Sequence, residues 1–214
     1  SELGASAGLN LSLDRFSVAI DGMAHGPEDA IVQLVPEWRG AIRPKPRPLN
    51  IVDRRGVDLA PLDAADPDDA LRLLAYLWPD QPERLTLTRA AIAVASTLPD
   101  ADDAAPWLAR RLAKPRQGVL HVICSTIAAQ YFSDATRAAI ADHLSKAGFS
   151  ATPDTSILHL ALEPDARTPG AGLTATLWAG SGPKQMHLGR ADFHGRWIEW
   201  SPKAADPPFY PLGG

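Results

Sequence analysis

The hydrophobic positions of the chain follow one pattern up to about residue 150 and another beyond it. In the first part, apolar runs of strand length alternate with segments whose apolar residues recur at helical spacing. The run Gly118–Cys124 is apolar on both faces, as in a parallel strand that is covered on both sides. In the second part, turns containing glycine or proline join short strand-like segments at 156–163, 173–178, 185–191 and 196–200. This order predicts βαβ units with a parallel sheet, followed by an antiparallel end.

The segments of helical spacing carry clear end signals. Asp66-Pro67-Asp68-Asp69 offers a capping aspartate, a proline at the first helical position and acids beside the positive end of the helix dipole. Apolar side chains follow at intervals of three and four, which predicts one buried face made of Leu71, Leu74, Ala75 and Trp78. Further helices are predicted from Pro82, over 107–112, and from Ser133 to Lys146, with Gly148 closing the last one.

Two segments depart from this regular order. Residues 16–20 are typical of a strand, and residues 31–38 of a strand returning beside it, so 16–48 is predicted to be an inserted β-hairpin with a proline-rich linker. Residues 203–214 are predicted to be a surface tail. The whole of 1–214 is expected to form a single α/β domain. Because a glycine turn at residues 4–8 needs a full strand before it, we expect this domain to be truncated at its amino end.

The amino-acid composition argues against several kinds of binding partner. A net charge of −4 over 214 residues gives no electrostatic help to nucleic-acid binding. Every apolar run is shorter than the roughly 20 residues of a membrane span, so no membrane partner is expected. The single cysteine, Cys124, excludes an internal disulfide and is typical of a reducing compartment, so the cytoplasm is expected. The histidines lack the i, i+4 spacing of helical metal ligands, and no metal site is predicted.

The stretch Gly4-Ala5-Ser6-Ala7-Gly8 can be interpreted in two ways. It fits G-x-S-x-G, the turn that exposes a nucleophilic serine in α/β-hydrolases, and Asp165 and His194 follow in the order of a triad. Together with Glu2 it also fits E-x-G-x-x-x-G, a glycine turn that lets the backbone approach a nucleotide cofactor. A nucleophile needs a base and oxyanion donors, and no recognisable donor loop lies upstream. We therefore expect Ser6 to be a turn residue, with a serine hydrolase as an alternative.

Polar residues follow the predicted strands in the order seen in class I methyltransferases. In such folds an acid after the second strand binds the ribose hydroxyls, and in methyltransferases a second acid lies beside the adenine. Asp58 and Asp103 hold these positions, although Asp58 could also cap a turn and Asp103 could be the first acid of a helix. Ser125 is predicted to contact the cofactor, and Thr126 and Tyr131 to face the substrate. No base is evident among these residues, so no catalytic residue is predicted.

Four segments resemble an uncharacterised bacterial family of unknown function: E-L-G-A-S-A-G-L-N-L, R-R-G-V-D-L-A-P-L-D, L-L-A-Y-L-W-P-D-Q-P-E-R-L and H-G-R-W. The resemblance covers essentially the whole chain. It implies the α/β architecture inferred above, a Rossmann-like sheet of the methyltransferase type that is mostly parallel and ends in an antiparallel C-terminal hairpin. It brings no established activity with it.

The motif order predicts S-adenosylmethionine as the cofactor, with a small molecule or a protein as the methyl acceptor. Two features depart from the usual pattern. Gly4 and Asp58 lie 54 residues apart, against roughly 20 in the compact dinucleotide unit, and the insertion at 16–48 can account for the excess. No N-P-P-Y follows the fourth strand, which argues against methylation of nucleic-acid amino groups. A non-catalytic binding or interaction module with the same fold is the alternative from another class.

Overall fold

Strands and helices alternate through most of the computed structural model, which describes residues 1–41 and 47–205. The strands are β1 (Glu2–Leu3), β2 (Phe16–Ile20), β3 (Met23–His25), β4 (Val32–Leu34), β5 (Glu37–Arg39), β6 (Gly56–Asp58), β7 (Asp100–Ala101), β8 (His121–Thr126), β9 (Ile157–Glu163), β10 (Ala171–Trp178), β11 (Pro183–Ala191) and β12 (Trp197–Ala204). The α-helices are α1 (Pro67–Ala75), α2 (Pro82–Val94), α3 (Ala104–Leu112) and α4 (Asp134–Phe149). Short 3₁₀ segments lie at Leu9–Arg15, Ala129–Tyr131 and Pro153–Thr155.

Nine strands of the described residues form one sheet in the order β7-β6-β1-β8-β9-β10-β11-β12-β5. The strands from β7 to β9 are parallel to one another. From β1 the chain moves outward to β6 and β7 and then returns to β8 on the other side of β1, so the strand order reverses between β1 and β8. The predicted α/β class, with a mostly parallel sheet and antiparallel strands at its end, is confirmed.

The antiparallel part is larger than the predicted hairpin. Strands β9, β10, β11 and β12 form a continuous antiparallel series, and β5 pairs parallel with the outer side of β12. Arg190 organises the loop between β9 and β10, because its guanidinium binds the Asp165 carboxylate at 2.7 Å and donates to three carbonyl oxygens of that loop, those of Arg167, Pro169 and Gly170. This loop lies at the same end of the sheet as the carboxyl ends of the parallel strands.

Helices α3 and α4 pack on one another and cover one face of the sheet. Between them and the strands lies a core of fully buried side chains, from Leu3, Val57, Leu108, Ile123, Ile140 and Leu144. Ser133 caps α4 as predicted, accepting the N–H of Thr136. Gly148 does not close this helix: it lies inside α4, where an added β-carbon would come within 2.4 Å of the Trp178 ring. The glycine is therefore needed for close helix–sheet packing.

The segment predicted to be an inserted hairpin forms a small three-stranded sheet from β2, β3 and β4, and it also supplies β5 to the large sheet. Strand β2 pairs antiparallel with β3 and parallel with β4. The strand predicted over 31–38 is divided at Pro36, which has no N–H to donate to a ladder, and its second part joins the large sheet as β5. The predicted linker falls largely on residues 42–46, and the predicted tail on 206–214, which lie outside the described residues. Strand β12 occupies the first two positions of that tail, Lys203 and Ala204.

Helix α1 begins where the sequence predicts, but the prediction of its buried face is wrong. The carboxylate of Asp66 caps it by accepting the N–H groups of Asp68 and Asp69. None of the residues described for α1 is buried, and Leu71 and Trp78 are 66% and 70% exposed. The helix packs beside α2 instead of covering the sheet. The apolar spacing thus located the helix correctly but not the surface against which it lies.

Candidate functional site

The carboxyl ends of β7, β6, β1, β8 and β9 lie side by side, because these strands are parallel neighbours; we call this row the carboxyl edge. The residues predicted to form the site fall along it. The Ser6 N–H donates to the Asp58 carboxylate at 2.8 Å, and the Asp102 N–H donates to the Asp58 carbonyl oxygen at 3.0 Å. The structure therefore brings the ends of β1, β6 and β7 into direct contact.

The turn that follows β1 is held by backbone hydrogen bonds. The N–H groups of Gly4 and Ala5 both donate to the Val57 carbonyl oxygen at 2.9 Å. The Gly8 N–H donates to the Ala5 carbonyl oxygen at 2.7 Å. The turn is thus built on the end of β6 as well as on β1.

The glycines of this turn allow it to pack against the protein itself. Gly4, Ser6 and Gly8 have φ angles of 70°, 51° and 67°, in the left-handed region that favours glycine. An added β-carbon at Gly4 would lie 2.5 Å from the Ala128 β-carbon, and one at Gly8 would lie 2.7 Å from the Thr97 carbonyl oxygen. Ser6 is exposed, so the middle of the turn is the part that faces outward.

Both carboxylate oxygens of Asp58 accept backbone hydrogen bonds. Oδ2 accepts the Ser6 N–H at 2.8 Å, and Oδ1 accepts the Ala60 N–H at 3.0 Å. The Leu62 N–H donates to the Ser6 carbonyl oxygen at 3.3 Å, so the segment after β6 folds back onto the glycine turn. Asp58 therefore caps a turn, while its half-exposed carboxylate retains a second lone pair on each oxygen.

Asp103 has the geometry of a helix cap. Its Oδ1 accepts the Ala105 N–H at 2.8 Å at the start of α3, and its Oδ2 accepts the Thr136 hydroxyl at 3.5 Å. The neighbouring Asp102 forms an ion pair with Arg110. Of these two neighbouring acids, Asp102 is paired with an arginine, whereas Asp103 binds a backbone N–H and a hydroxyl.

An open cavity of about 450 Å³ lies beside β7, on the outer side of the sheet. Three arginines line it, and each is held by an aspartate: Arg55 by Asp100, Arg110 by Asp102, and Arg111 by Asp53. Each arginine thus has an acidic partner, although Asp53 is shared between Arg111 and Arg116. The cavity adjoins the carboxyl edge at Ala101, the last residue of β7, and at Asp102.

The residues predicted at the end of β8 differ in their access to solvent. Ser125 is 1% exposed and pairs with Leu3 inside the sheet. Thr126 and Tyr131 are both exposed. Between them, Ile127 has a φ of 55°, which is rare for a β-branched residue. Of the predicted residues on this strand and its loop, Thr126 and Tyr131 are therefore accessible to a ligand, and Ser125 is not.

Glu163, at the end of β9, completes the carboxyl edge and was missed by sequence reasoning. Its two carboxylate oxygens accept the N–H groups of Ala128 and Ala129, at 3.3 and 3.2 Å. Burial raises the pKa of this carboxyl above its ordinary range. Because Ala128 also abuts Gly4, Glu163 is connected to the glycine turn through one residue. In the sequence, Glu163 could have been recognised as a charged residue at the end of the apolar strand Ile157–Glu163.

Glu2 is a second acid with an unusual environment. It is 3% exposed, and its Oε1 accepts a hydrogen bond from the Asn10 amide at 2.9 Å. Its Oε2 has no hydrogen-bond partner within residues 1–41 and 47–205. Burial raises the pKa of Glu2 to about 7. Glu2 lies in β1, two residues before Gly4.

The residues proposed for the hydrolase triad make hydrogen bonds to other partners. Asp165 binds Arg190 at 2.7 Å, and the backbone N–H of His194 donates to Asp192 at 2.9 Å. In the part of the chain that the structure describes, no hydrogen bond joins Ser6 to Asp165 or His194. Neither proposed triad partner is therefore hydrogen-bonded to Ser6 among these residues.

Two other chemistry-bearing residues, Cys124 and His121, are half-buried on β8. Burial raises the pKa of the Cys124 thiol to about 11 and lowers the pKa of His121 to about 4. Among the described residues, no group of three histidine, cysteine or acidic side chains is placed to hold a metal ion. The helices described here include none that is both long and apolar enough to cross a membrane.

Comparison with curated proteins finds no match, and comparison with solved structures finds none either. A family model described as an uncharacterised protein conserved in bacteria (DUF2332) matches residues 1–200. That range contains the glycine turn, the carboxyl edge and all but the end of β12. The chain therefore belongs to this family of uncharacterised bacterial proteins.

Proposed function

We propose that this protein binds S-adenosylmethionine at the carboxyl edge and transfers its methyl group to a small molecule or a protein. One observation carries the proposal: the strand order reverses between β1 and β8, and open α/β sheets bind ligands at such a point. The glycine turn follows β1, Asp58 ends β6 and Asp103 follows β7. This is the arrangement in which class I methyltransferases place their cofactor-binding residues.

The hydrogen bonds of the turn favour a cofactor without phosphate groups. Phosphate-binding turns hold the ligand with free backbone N–H groups. Here the N–H groups of Gly4, Ala5 and Gly8 donate to carbonyl oxygens, and that of Ser6 donates to Asp58. S-adenosylmethionine carries no phosphate, so it fits this turn better than a dinucleotide or a nucleoside triphosphate.

Three residues suit the adenosine part of the cofactor. The Asp58 carboxylate has lone pairs left for the two ribose hydroxyls, because each oxygen accepts one backbone bond. Asp103 follows β7, which lies outward of β6, on the side where the adenine would extend. Ser6 is the exposed member of the glycine turn, so the cofactor would approach the turn at Ser6 rather than at the packed glycines.

Glu163 supplies the proton acceptor that the sequence did not reveal. When bound, S-adenosylmethionine supplies a methyl group on a sulfonium centre that a nucleophile attacks. A carboxylate whose pKa is raised toward neutrality is a better proton acceptor than an ordinary one, and burial raises the pKa of Glu163. Thr126 and Tyr131, exposed at either side of the segment that Glu163 binds through Ala128 and Ala129, would contact the acceptor.

Calorimetry with S-adenosylmethionine and with its demethylated product tests the proposal. Both are expected to bind at concentrations below about 1 mM, whereas ATP and NAD are not. Asp58→Asn keeps an oxygen for the Ser6 N–H but loses the charge, and it should weaken binding about tenfold. Asp154→Asn is the matched control, since Asp154 is exposed before β9, at the opposite end of the sheet. Absence of binding by the folded protein, or equal losses in both variants, would refute the proposal.

A non-catalytic module is the second candidate, and the packing of the glycine turn favours it. The α-carbons of Gly4 and Gly8 face Ala128 and Thr97, so these glycines have a structural use that needs no ligand. The two candidates differ in turnover. Cofactor binding without formation of the demethylated product, in the presence of bacterial metabolite and protein extracts, supports the module. Product formation that is lost in Glu163→Gln, with cofactor affinity retained, rules it out.

A further inference from the structure

Helix α1 and the turn after it present apolar side chains to solvent. Leu71 is 66% exposed and Trp78 is 70% exposed, and Ala75 is exposed one helical turn after Leu71. We call these three residues the α1 patch. None of the residues described for α1 is buried, although the helix is amphipathic in sequence. A helix of this kind ordinarily buries its apolar side, so the patch has the character of an interface.

The surroundings of the α1 patch are strongly acidic. From Asp63 to Glu83, both included, the chain contains six acidic residues and one arginine, whereas the net charge of all 214 residues is −4. Asp66 and Asp68 are exposed at the amino end of α1, and Asp80 is exposed just beyond Trp78. Asp68 lies three residues before Leu71, on the same side of the helix. The apolar patch is therefore flanked by negative charge at both ends.

We propose that the α1 patch is a docking surface for a basic amphipathic helix of another protein. Apolar residues spaced by one helical turn suit the packing of one helix along another. The acids at both ends of the patch would attract and orient lysine and arginine side chains that flank the apolar stripe of the partner. The inference is independent of cofactor binding, because no residue of the patch belongs to the carboxyl edge.

The negative charge around the α1 patch favours a basic helix over a second copy of the chain or a membrane surface. A second copy of the chain would place one acidic segment against another, and like charges brought together oppose association. A membrane surface that contains anionic lipids would be repelled in the same way. A basic helix gains from both the apolar and the acidic parts of the surface.

A fluorescein-labelled peptide of about 18 residues, built from leucine and lysine at helical spacing, is a suitable probe. Its fluorescence anisotropy should rise on titration with the protein, and binding should weaken as salt is added. Leu71→Ser and Trp78→Ser should each lower the affinity about tenfold, because each removes a large apolar side chain from the contact. Asp68→Asn and Asp80→Asn should lower it about threefold and reduce the salt dependence.

Phe149→Ser is the matched control, because Phe149 is 72% exposed at the end of α4, away from the acidic segment. It should leave the peptide affinity unchanged. Equal losses from Phe149→Ser and Leu71→Ser would show unspecific binding and overturn the proposal. Two other results would also overturn it: a dimer in light scattering, or binding to phosphatidylglycerol vesicles, that Leu71→Ser abolishes. All these residues are exposed, so the variants should fold, which circular dichroism checks.

Discussion

The backbone N–H of Ser6 donates to the carboxylate of Asp58 at 2.8 Å, across 52 residues of chain. The same carboxylate accepts the Ala60 N–H at 3.0 Å. Asp58 therefore satisfies two backbone donors that no helix or strand ladder satisfies, and it joins the turn after β1 to the end of β6. This role in the fold exists whether or not a cofactor binds.

Asp58→Ala should lower the free energy of unfolding by about 1–2 kcal/mol, because two N–H groups lose a charged acceptor. Asp58→Asn should cost less, since an amide oxygen can still accept one of the two bonds. Urea unfolding of the three proteins measures the difference. Asp154→Ala, at an exposed position, should stay within about 0.5 kcal/mol of the original protein. A similar value for Asp58→Ala would contradict the capping role.

The buried Glu2 carboxyl should make stability fall as the pH rises. Burial raises its pKa in the folded protein to about 7, from an ordinary value of 4.5. The folded state therefore holds this proton more tightly than the unfolded state. The resulting stability is fully present below pH 4.5 and is lost as the pH rises to about 7. The loss corresponds to about 3 kcal/mol.

Glu2→Gln should remove this contribution, since glutamine resembles the protonated acid and keeps an oxygen for Asn10. Relative to the original protein, it should gain up to about 3 kcal/mol at pH 8 and almost nothing at pH 4. Urea unfolding across this pH range gives both values. Glu28→Gln, at an exposed loop position, should show no such trend. A gain that is equal at both pH values would mean that Glu2 does not titrate in this way.

Gly148→Ala should destabilise the protein even though alanine favours helices. The intrinsic preference would add about 1 kcal/mol of stability in an exposed helix. Here the new β-carbon would lie 2.4–2.5 Å from three atoms of the Trp178 ring, so α4 must shift away from β10. Overpacking of this kind costs about 1–3 kcal/mol or more. Thermal unfolding should show a lower Tm for Gly148→Ala and little change for Ser145→Ala in the same helix; a raised Tm would contradict the contact.

The elements that sequence reasoning located correctly are those whose signals are local. Asp66 caps α1, Ser133 caps α4, and the apolar run before Cys124 forms the central part of the sheet. Each of these depends on residues within a few positions of one another. The class of the fold followed from the order of such segments.

The misassigned features depend on contacts between distant segments. Gly148 looks like a helix end in the sequence, and only its contact with Trp178 explains it. The exposure of Leu71 depends on what lies opposite α1, which apolar spacing does not specify. Glu163 joins the candidate site because β9 pairs with β8. This pairing brings Glu163 to Ala128, which lies 35 residues earlier in the chain. Sequence order predicted which strand ends would carry polar residues, but not which of those residues would meet.

Ser6 should prove to be a turn residue and not a nucleophile. A nucleophilic serine needs a base within hydrogen-bond distance and preorganised donors for an oxyanion. Of the candidates for its triad, Asp165 pairs with Arg190, and among the described residues no hydrogen bond joins His194 to Ser6. A fluorophosphonate probe should therefore fail to label the protein. Labelling that disappears in Ser6→Ala would restore the hydrolase interpretation.

Substitutions at Ser6 also test whether the glycine turn binds a cofactor or has only a structural role. Gly8→Val is a poor test, because its β-carbon would lie 2.7 Å from the Thr97 carbonyl oxygen at a φ of 67°, and the fold itself would suffer. Ser6 is exposed, so Ser6→Ala and Ser6→Gln should both leave the free energy of unfolding within about 0.5 kcal/mol. If the cofactor approaches the turn here, the larger glutamine should weaken binding of S-adenosylmethionine about tenfold in calorimetry, while alanine should not. Equal affinities in the two variants would place the cofactor away from this turn.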